Sequence, residues 1–269
     1  MSAEQLIVPA GARIQDELSI GSGSLDVRVE KNAELLLIVR IEGGGQITSS
    51  MTVAVEDGAR CTVLTINAAD ADAAVSISQR GEVGENATLT WQNVTLGGGK
   101  VEQDLVSHVS GDNAVSSIDW MFYAKKSETQ HLTVRNVFDG RSGAGEILMR
   151  GVAEDKAHAD AEGMIEIGLH GGGTNTYLTQ NVLMLDPTSK VDAVPGLEIK
   201  TNDVKASHSA TVSRLTAEDL FYFASRSIPP VEARAMYVQG FLGDITQRIV
   251  DEKRREEIVG LVERKYSEK

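Results

Sequence analysis

The hydrophobic positions of this chain follow one pattern before about residue 200 and another after about residue 215. In the first part, short apolar or alternating runs are separated by Gly, Asn and Asp. These runs are rich in β-branched residues and too short for independent helices: LLLIVRI (35–41), CTVLTI (61–66), AVSIS (74–78), ATLTWQNVTL (87–96), EILMRGV (146–152) and MIEIGL (164–169). Such runs, bounded by turn residues, predict β-strands.

The predicted strands recur in a fixed form, in which a polar turn is followed by an alanine and then by a strand. Four segments share it: VEKNAELLLI from Val29, VEDGARCTVL from Val55, VGENATLTWQ from Val83 and VSGDNAVSSI from Val109. Their alanines are 26 to 28 residues apart, at Ala33, Ala59, Ala87 and Ala114. A unit of this size fits one coil of a β-solenoid or a pair of stacked strands in a β-sandwich. The regular spacing favours the solenoid.

Helix signals begin after residue 211. Thr216 can cap a helix that starts TAEDLFYFASR, and Pro229–Pro230 suits the first turn of a second helix. In that second helix, apolar residues three or four apart form a stripe able to dock on a sheet or a partner helix: Val231, Ala235, Val238, Leu242, Ile245 and Ile249. The charged end of the chain predicts a third helix, with a minor apolar face formed by Ile258, Leu261 and Val262.

Composition narrows the class of protein. Hydrophobic residues make up 41% of the chain but aromatic ones only 4%, which favours a core of repeated aliphatic layers. The formal net charge of −13 argues against nucleic acid or an anionic membrane as partner. No apolar run approaches the roughly 20 residues of a membrane span, and the first residues lack the pattern of a secretory signal. We therefore expect a soluble, cytoplasmic protein.

Few residues suggest local chemistry. The single cysteine, Cys61, rules out an intrachain disulfide and an all-cysteine metal site made by one chain, and its strand-like surroundings predict a buried, inert thiol. No histidine belongs to an H-x-x-x-H or H-E-x-x-H motif. We expect His108, His131 and His158 at solvated positions of the coils and His170 in a turn.

Three glycine triplets, at Gly43–Gly45, Gly97–Gly99 and Gly171–Gly173, resemble phosphate-binding loops only superficially. The second reads GGGKVEQD, with Val101 where a phosphate loop needs Ser or Thr, and a β-type run follows it. We interpret the triplets as turns and expect no nucleotide site in this chain.

An acidic surface on a β-solenoid also permits a second class of function, a polymer-binding module or a saccharide-cleaving enzyme. Such an enzyme needs a pair of carboxylates, for which Asp155 with Asp160 or Asp192 with Glu198 are candidates. Sugar-binding surfaces are also usually lined by aromatic platforms, and the chain has only two Trp residues.

The stretch PGLEIKTNDVKASHSAT, followed by LFYFASRSI and a helix that contains Gly240 and Phe241, resembles the C-terminal signature of the SUF-system iron–sulfur cluster assembly scaffolds, the SufB/SufD family. The family pattern reads P-x-L-E-I, D-V, H-x-A-T and F-Y-x-x-x-R-G-I. The matching residues are Pro195, Leu197, Glu198, Ile199, Asp203, Val204, His208, Ala210, Thr211, Phe221, Tyr222, Arg226 and Ile228. The resemblance is densest over residues 175–245.

The resemblance implies a mainly β fold: a right-handed parallel β-helix (β-solenoid) core over residues 1–212 and a C-terminal helical subdomain over residues 213–269. It implies a non-catalytic scaffold that pairs through the β-helix, either with itself or with a SufB-like paralogue. The helical subdomain would bind a SufC-like ABC ATPase, which supplies the nucleotide site.

Within this resemblance, His208 is the first candidate ligand for iron or a transient iron–sulfur cluster at a subunit interface, and Glu198 and Asp203 are weaker candidates. Histidine with carboxylates suits a cluster that must be released better than four thiolates do. The alternative for His208 is an imidazole hydrogen-bonded to a turn. For ATPase docking the candidates are Phe221, Tyr222, Arg226, Gly240 and Phe241. The two aromatic residues of the first helix could instead pack on the solenoid.

Departures from the family pattern favour a short, SufD-leaning member. Ala206 stands where SufD-like members commonly have a cysteine, and Asn181 stands near the cluster-related cysteine of SufB-like members. Ser209 replaces a glutamate and Ser227 replaces the usual glycine. The N-terminal helical domain of the larger members is expected to be absent.

Overall fold

The computed structural model describes residues 2–268, in which sixteen β-strands precede three α-helices. The strands are β1 (Ser2–Val8), β2 (Arg13–Ser19), β3 (Gly23–Val29), β4 (Glu34–Ile41), β5 (Gln46–Val55), β6 (Arg60–Asn67), β7 (Ala74–Val83), β8 (Thr88–Thr95), β9 (Lys100–Val109), β10 (Val115–Ala124), β11 (Thr129–Phe138), β12 (Ala144–Ala153), β13 (His158–Ile167), β14 (Asn175–Met184), β15 (Lys190–Ile199) and β16 (Lys205–Arg214). The helices are α1 (Ala217–Ala224), α2 (Pro230–Gln247) and α3 (Glu252–Ser267).

Each strand pairs in parallel with the strand two places further along the chain. The odd-numbered strands form one eight-stranded sheet and the even-numbered strands form another. Ser2 lies opposite Gly23 in the first coil and His158 opposite Lys190 in the last, so the coil lengthens from 21 to 32 residues along the solenoid. The prediction of a mainly β parallel β-helix is confirmed, and the β-sandwich alternative was wrong.

The repeat found in the sequence marks the same corner of four successive coils. The residue before each of the four alanines has a left-handed backbone, with φ values of 53° to 70°: Asn32, Gly58, Asn86 and Asn113. Asn and Gly tolerate this conformation best. The backbone N–H of each donates to a carbonyl of the next coil, for example from Asn32 to Asp57 over 3.2 Å. The alanine that follows is buried, so the coils can stack closely.

Two hydrophobic cores hold the molecule together. The first fills the space between the two sheets. The second lies between the outer face of the even-strand sheet and the helices α2 and α3, where Leu64, Met121 and Leu183 meet Leu242 and Ile258. The middle even strands are therefore buried on both faces, as in β10 (VSSIDWMFYA). This explains why their sequences do not alternate between apolar and polar residues.

The predicted stripe on α2 is largely the face that packs on the sheet. Val238, Leu242, Ile245 and Ile249 are buried, the last of these just beyond the end of the helix. Val231 was wrongly placed in this stripe. It lies in the first turn, before α2 reaches the second core, and Ala233 is the first buried residue of the helix.

Ion pairs fix both ends of α3 to the solenoid. At its start, Glu257 accepts two hydrogen bonds from Arg40, of 2.7 and 2.8 Å, and one from Arg254. The hydrogen bonds from Arg40 lower the pKa of Glu257 to about 2. At its end, the Lys265 ammonium donates to both oxygens of the buried Glu128, over 2.6 and 2.7 Å.

The last strand and the first helix are separated by a short connection, since β16 ends at Arg214 and α1 begins at Ala217. The predicted boundary between the β-helix core and the helical subdomain, between residues 212 and 213, falls inside β16. Among residues 2–268, α1, α2 and α3 are all too short or too polar to cross a membrane.

Candidate functional site

The last coil leaves both sheets with an open edge at the same end of the solenoid. β15 pairs only with β13, and β16 pairs only with β14. Each of these edge strands is ten residues long, and Val194, Ile199 and Val212 on them are exposed. A long edge strand presents unpaired backbone N–H and C=O groups, which are a template for pairing with another chain.

His208 lies on β16 in the row of residues that faces the interior of the solenoid. Its register partner on β14 is Leu178, which is buried in the inner core. Two residues earlier in the same row, Ala206 packs against that core. His208 itself is exposed because no further coil covers it. The imidazole of His208 is therefore accessible at the open end of the solenoid.

Glu198 and Asp203 lie elsewhere in the last coil. Glu198 is in register with Glu166, on the outer face of the odd-strand sheet, and its carboxylate lies 2.8 Å from the ammonium of Lys200. That hydrogen bond holds the pKa of Glu198 below its usual value. Asp203 lies in the loop between β15 and β16, where its backbone carbonyl accepts a hydrogen bond from Gly173.

The three candidate iron ligands are not brought together within one chain. Among residues 2–268, groups of three His, Cys, Asp or Glu ligand atoms within 4.8 Å occur at two places, and neither includes His208, Glu198 or Asp203. Alternation along the strands explains the separation, because His208 is in an inward-facing row and Glu198 in an outward-facing row. Among residues 2–268, His208 is therefore not part of a preformed group of three such ligands.

The second candidate surface is α1, which begins at the predicted cap. Thr216 and Asp219 form a capping box, in which the Thr216 hydroxyl accepts from the Asp219 N–H and the Asp219 carboxylate accepts from the Thr216 N–H. The helix has eight residues and buries none of them. Helices this short are not stable in isolation. The alternative in which its aromatic residues pack on the solenoid is wrong for Phe221, whose surface is 72% exposed.

Aromatic and cationic groups cluster on the exposed side of α1. The guanidinium of Arg226 lies over the ring of Tyr222, 4.2 Å from its centroid. The Tyr222 ring meets the Phe223 ring edge to face, with centroids 5.8 Å apart. Aromatic and Arg side chains presented together in this way are typical of the energetic centre of protein interfaces.

A shallow concavity of about 360 Å³ lies beside this cluster, lined by Phe223, Met236, Tyr237, Gly240 and Phe241. The space around the Gly240 α-carbon is open. Phe241 is only partly available for docking, because Arg150 of β12 donates to its carbonyl over 2.7 Å and lies over its ring. Phe241 therefore also anchors α2 to the solenoid.

The cysteine and the other four histidines lie in the kinds of surroundings that the sequence predicted. Cys61 is buried in the inner core, and burial raises its pKa to about 12, so it is the inert thiol expected. His170 lies in a turn, as predicted. His108, His131 and His158 are half-exposed or exposed strand residues, and each contacts at least one carboxylate.

The carboxylates around His108 should make its contribution to the stability of the fold depend on pH. Its two ring nitrogens lie 3.1 Å from Glu82 and 2.7 Å from Asp139. Partial burial opposes the charge, but these carboxylates outweigh it and raise the pKa of His108. Protonated His108 stabilises the fold. This stabilisation is complete at a pH below the pKa of histidine in the unfolded chain, about 6.5, and it is lost as the pH rises through the pKa of His108 in the folded chain.

We therefore expect His108→Gln to be less stable than the native chain at pH 6, by up to about 1 kcal/mol because water screens the pair. At pH 9 the two should unfold at the same urea concentration. A difference that grows with pH would contradict this assignment.

Asp192 and Glu198 are too far apart to form the carboxylate pair that saccharide cleavage requires. Asp192 and Glu198 share one face of β15 but are six residues apart, which is about 20 Å along a strand. Glycosidase carboxyls lie about 5–9.5 Å apart. Asp155 accepts a hydrogen bond from the Lys126 N–H in a turn. Trp91 and Trp120 are fully buried, so neither can serve as a sugar platform.

The fold and its C-terminal helices define a class, a two-sheet parallel β-solenoid with an open final coil and a helical appendage. Residues 13–241 match the family model described as the SufBD core domain of SUF-system FeS cluster assembly. The chain belongs to this family, and the family's role is in iron–sulfur cluster assembly.

Individual relatives agree with this membership. An iron–sulfur cluster assembly SufBD family protein of Mycobacterium tuberculosis is 30% identical over 273 residues, which covers 96% of this chain and 68% of the relative. The iron–sulfur cluster assembly protein SufD of Bacillus subtilis is 26% identical, over 78% of this chain and 48% of that protein. SufD of Escherichia coli is 28% identical, over 66% of this chain and 42% of that protein.

Proposed function

We propose that this chain is a non-catalytic scaffold subunit for iron–sulfur cluster assembly. It works in a complex with a SufC-like ABC ATPase and dimerises with itself or with a SufB-like paralogue. The observation that carries the proposal is the open last coil, where the inward-facing His208 and the free outer edges of β15 and β16 lie at the same end of the solenoid. Membership of the SufBD family supports the same function.

Dimerisation would occur through the edges of β15 and β16. Pairing of edge strands supplies backbone hydrogen bonds in register, and the exposed Val194 and Val212 add apolar contact. A second copy of this chain offers the same pair of edges, and a SufB-like paralogue would need a similar pair. The two arrangements differ in the ligands that face His208, since Ala206 and Asn181 supply no thiolate on this side.

In either arrangement His208 would contribute one ligand to iron or to a nascent cluster, which is the cargo of the complex and not a resident cofactor. The other ligands would come from the partner across the interface. A mixed set of imidazole and a few other donors binds iron less tightly than four thiolates, which allows release. Cys61 is buried and inert, so the ligand that we assign to this chain is His208 and not a cysteine.

The ATPase would dock on α1 and on the neighbouring concavity of α2. Phe221 and Tyr222 are exposed, Arg226 is stacked on Tyr222, and a short helix without buried residues gains most from a partner. The glycine triplets form turns that lead into strands, so nucleotide binding is assigned to the ATPase.

Phe221→Asp is expected to weaken binding of the ATPase by about thirtyfold or more. The substitution removes an aromatic anchor worth about 2 kcal/mol or more at an interface centre and places a charge there. It should not affect folding, because Phe221 is 72% exposed. Calorimetric titration of the folded chain with the ATPase measures the change.

Leu169→Asp is the matched control. Leu169 is 73% exposed, in the loop between β13 and β14, and it lies outside the α1 and α2 surface. The Leu169→Asp variant should bind the ATPase with the same affinity as the native chain. Equal affinity of the native chain and Phe221→Asp would remove α1 from the interface.

A further inference from the structure

Two histidines and two aspartates occupy adjacent positions on three neighbouring strands of the odd-strand sheet. His131 lies on β11, His158 and Asp160 on β13, and Asp192 on β15. In the sheet register, His131, Asp160 and Asp192 lie directly opposite one another. The group is on the outer face of the sheet, far along the strands from the row that contains Glu198.

The outward direction of these side chains follows from the strand alternation. Ala159 and Ala161 of β13 are fully buried in the inner core, so His158 and Asp160 on either side of Ala159 face outward. Parallel strands about 4.8 Å apart hold the neighbouring groups at a fixed spacing. The group is therefore presented by hydrogen-bonded strands and not by a loop, near the start of the last three strands of the eight-stranded sheet.

The atoms already converge. His158 Nε2 lies 2.9 Å from Asp160 Oδ1 and 3.3 Å from Asp192 Oδ2. One ligand atom from each of these three residues lies within 4.8 Å of the other two. Two ligands bound to one ion at about 2.1 Å lie about 3.0–3.4 Å apart in octahedral or tetrahedral geometry. The separations from His158 are of this size.

We propose that His158, Asp160 and Asp192 form a binding site for a divalent first-row transition metal ion, with His131 as a fourth ligand. His131 Nδ1 lies 3.7 Å from Asp160 Oδ2, within reach of the same ion after a side-chain rotation. Imidazole and carboxylate together select zinc- or iron(II)-like ions over calcium or magnesium. The site is separate from His208 and does not depend on the proposed assembly function.

Neighbouring charges set the strength of the site. The two aspartates supply a charge of −2 that offsets the ion. Lys190 is in register with His158 and is exposed. Glu102, in register with His131, is paired with Lys100 over 2.8 Å.

His108 provides a built-in comparison on the same face of the same sheet. It also contacts two carboxylates, Glu82 and Asp139, but each carboxylate faces a different ring nitrogen. One ion cannot bind both nitrogens of a single imidazole, and this trio is not among the converging groups of residues 2–268. His108→Ala is therefore a matched control with a similar exposure and charge change.

The test is calorimetric titration of the full chain with Zn²⁺ at pH 7.5. The native chain should bind one ion at this site, and His158→Ala and Asp160→Asn should each weaken that binding by about tenfold or more. His108→Ala should bind as the native chain does. Because a bound imidazole must be neutral, the affinity should fall when the titration is repeated at pH 5.5.

Two results would overturn the proposal. One is no detectable Zn²⁺ binding by the native chain. The other is binding that His158→Ala and Asp160→Asn leave unchanged, which would assign the ion to another place such as His208. Circular dichroism checks that each variant is folded. We expect both variants to fold, because His158 and Asp160 are half-exposed.

Discussion

Lys265→Ala is expected to lower the free energy of unfolding by about 3–5 kcal/mol, because it leaves a buried carboxylate without its partner. Lys265 and Glu128 are only 6% and 5% exposed, and the ammonium donates to both carboxylate oxygens. The same region holds the end of α3, where Lys125 donates to the backbone carbonyls of Lys265 and Tyr266. The substitution therefore loosens the helices from the solenoid.

The effect should depend on pH in a defined direction. Burial raises the pKa of Glu128, and the Lys265 charge acts against that rise. Lys265→Ala removes the positive charge that lowers this pKa, so the pKa of Glu128 in the folded variant rises further above its value in the unfolded chain. The loss of stability is complete at a pH above the pKa of Glu128 in the folded variant, where the carboxylate is charged, and it becomes smaller as the pH falls through that pKa. Urea unfolding followed by circular dichroism should show a larger deficit at pH 8 than at pH 5.

Lys200→Ala is the matched control for this pair. Lys200 also pairs with a glutamate, Glu198, but both groups are exposed, so no measurable change in unfolding is expected. A double replacement of Glu128 and Lys265 by methionine should recover most of the stability, because no unpaired charge remains buried. A Lys265→Ala chain as stable as Lys200→Ala would contradict the role given to the buried pair.

His208→Ala is expected to lower the yield of assembled cluster by about tenfold or more in a complete complex with the ATPase and the second scaffold subunit. The reason is the proposed loss of an interface ligand, since His208 is exposed and its removal opens no cavity in the core. Anaerobic reconstitution with iron and sulfide, followed by visible absorption, measures the yield.

His170→Ala serves as the control for that experiment, because His170 is an exposed turn residue away from the last coil's interior row. Its cluster yield should match that of the native chain. Equal yields from His208→Ala and the native complex would remove His208 from the ligand set, while unequal assembly of the complexes would indicate a role in dimerisation instead.

Local rules accounted for the solenoid. The alanines at Ala33, Ala59, Ala87 and Ala114 follow left-handed corners, and that local requirement repeats in the sequence with the length of the coil. The cap at Thr216 and the proline pair before α2 likewise depend only on nearby residues, and both were predicted at the right place.

Features that depend on strand register could not be derived in the same way. Lys265 and Glu128 are 137 residues apart, and their contact exists only because α3 returns across the even-strand sheet. His131, Asp160 and Asp192 meet because successive coils there are 29 and 32 residues long. The sequence signal was the H-x-D spacing of His158 and Asp160, which places both on one face of a strand. His208 faces the interior of the solenoid and Glu198 faces outward, because successive side chains of a strand alternate between its two faces. Assigning the strand register from the sequence would have shown this separation.

The central claim, that this chain is a scaffold driven by a separate ATPase, is tested most directly by the composition of its complexes. The native chain would be co-expressed with the ABC-type ATPase of the same organism, with and without a SufB-like paralogue, and captured complexes measured by size-exclusion light scattering. We predict a stable particle that contains the ATPase and two scaffold subunits. Elution of this chain by itself from every mixture would contradict the account.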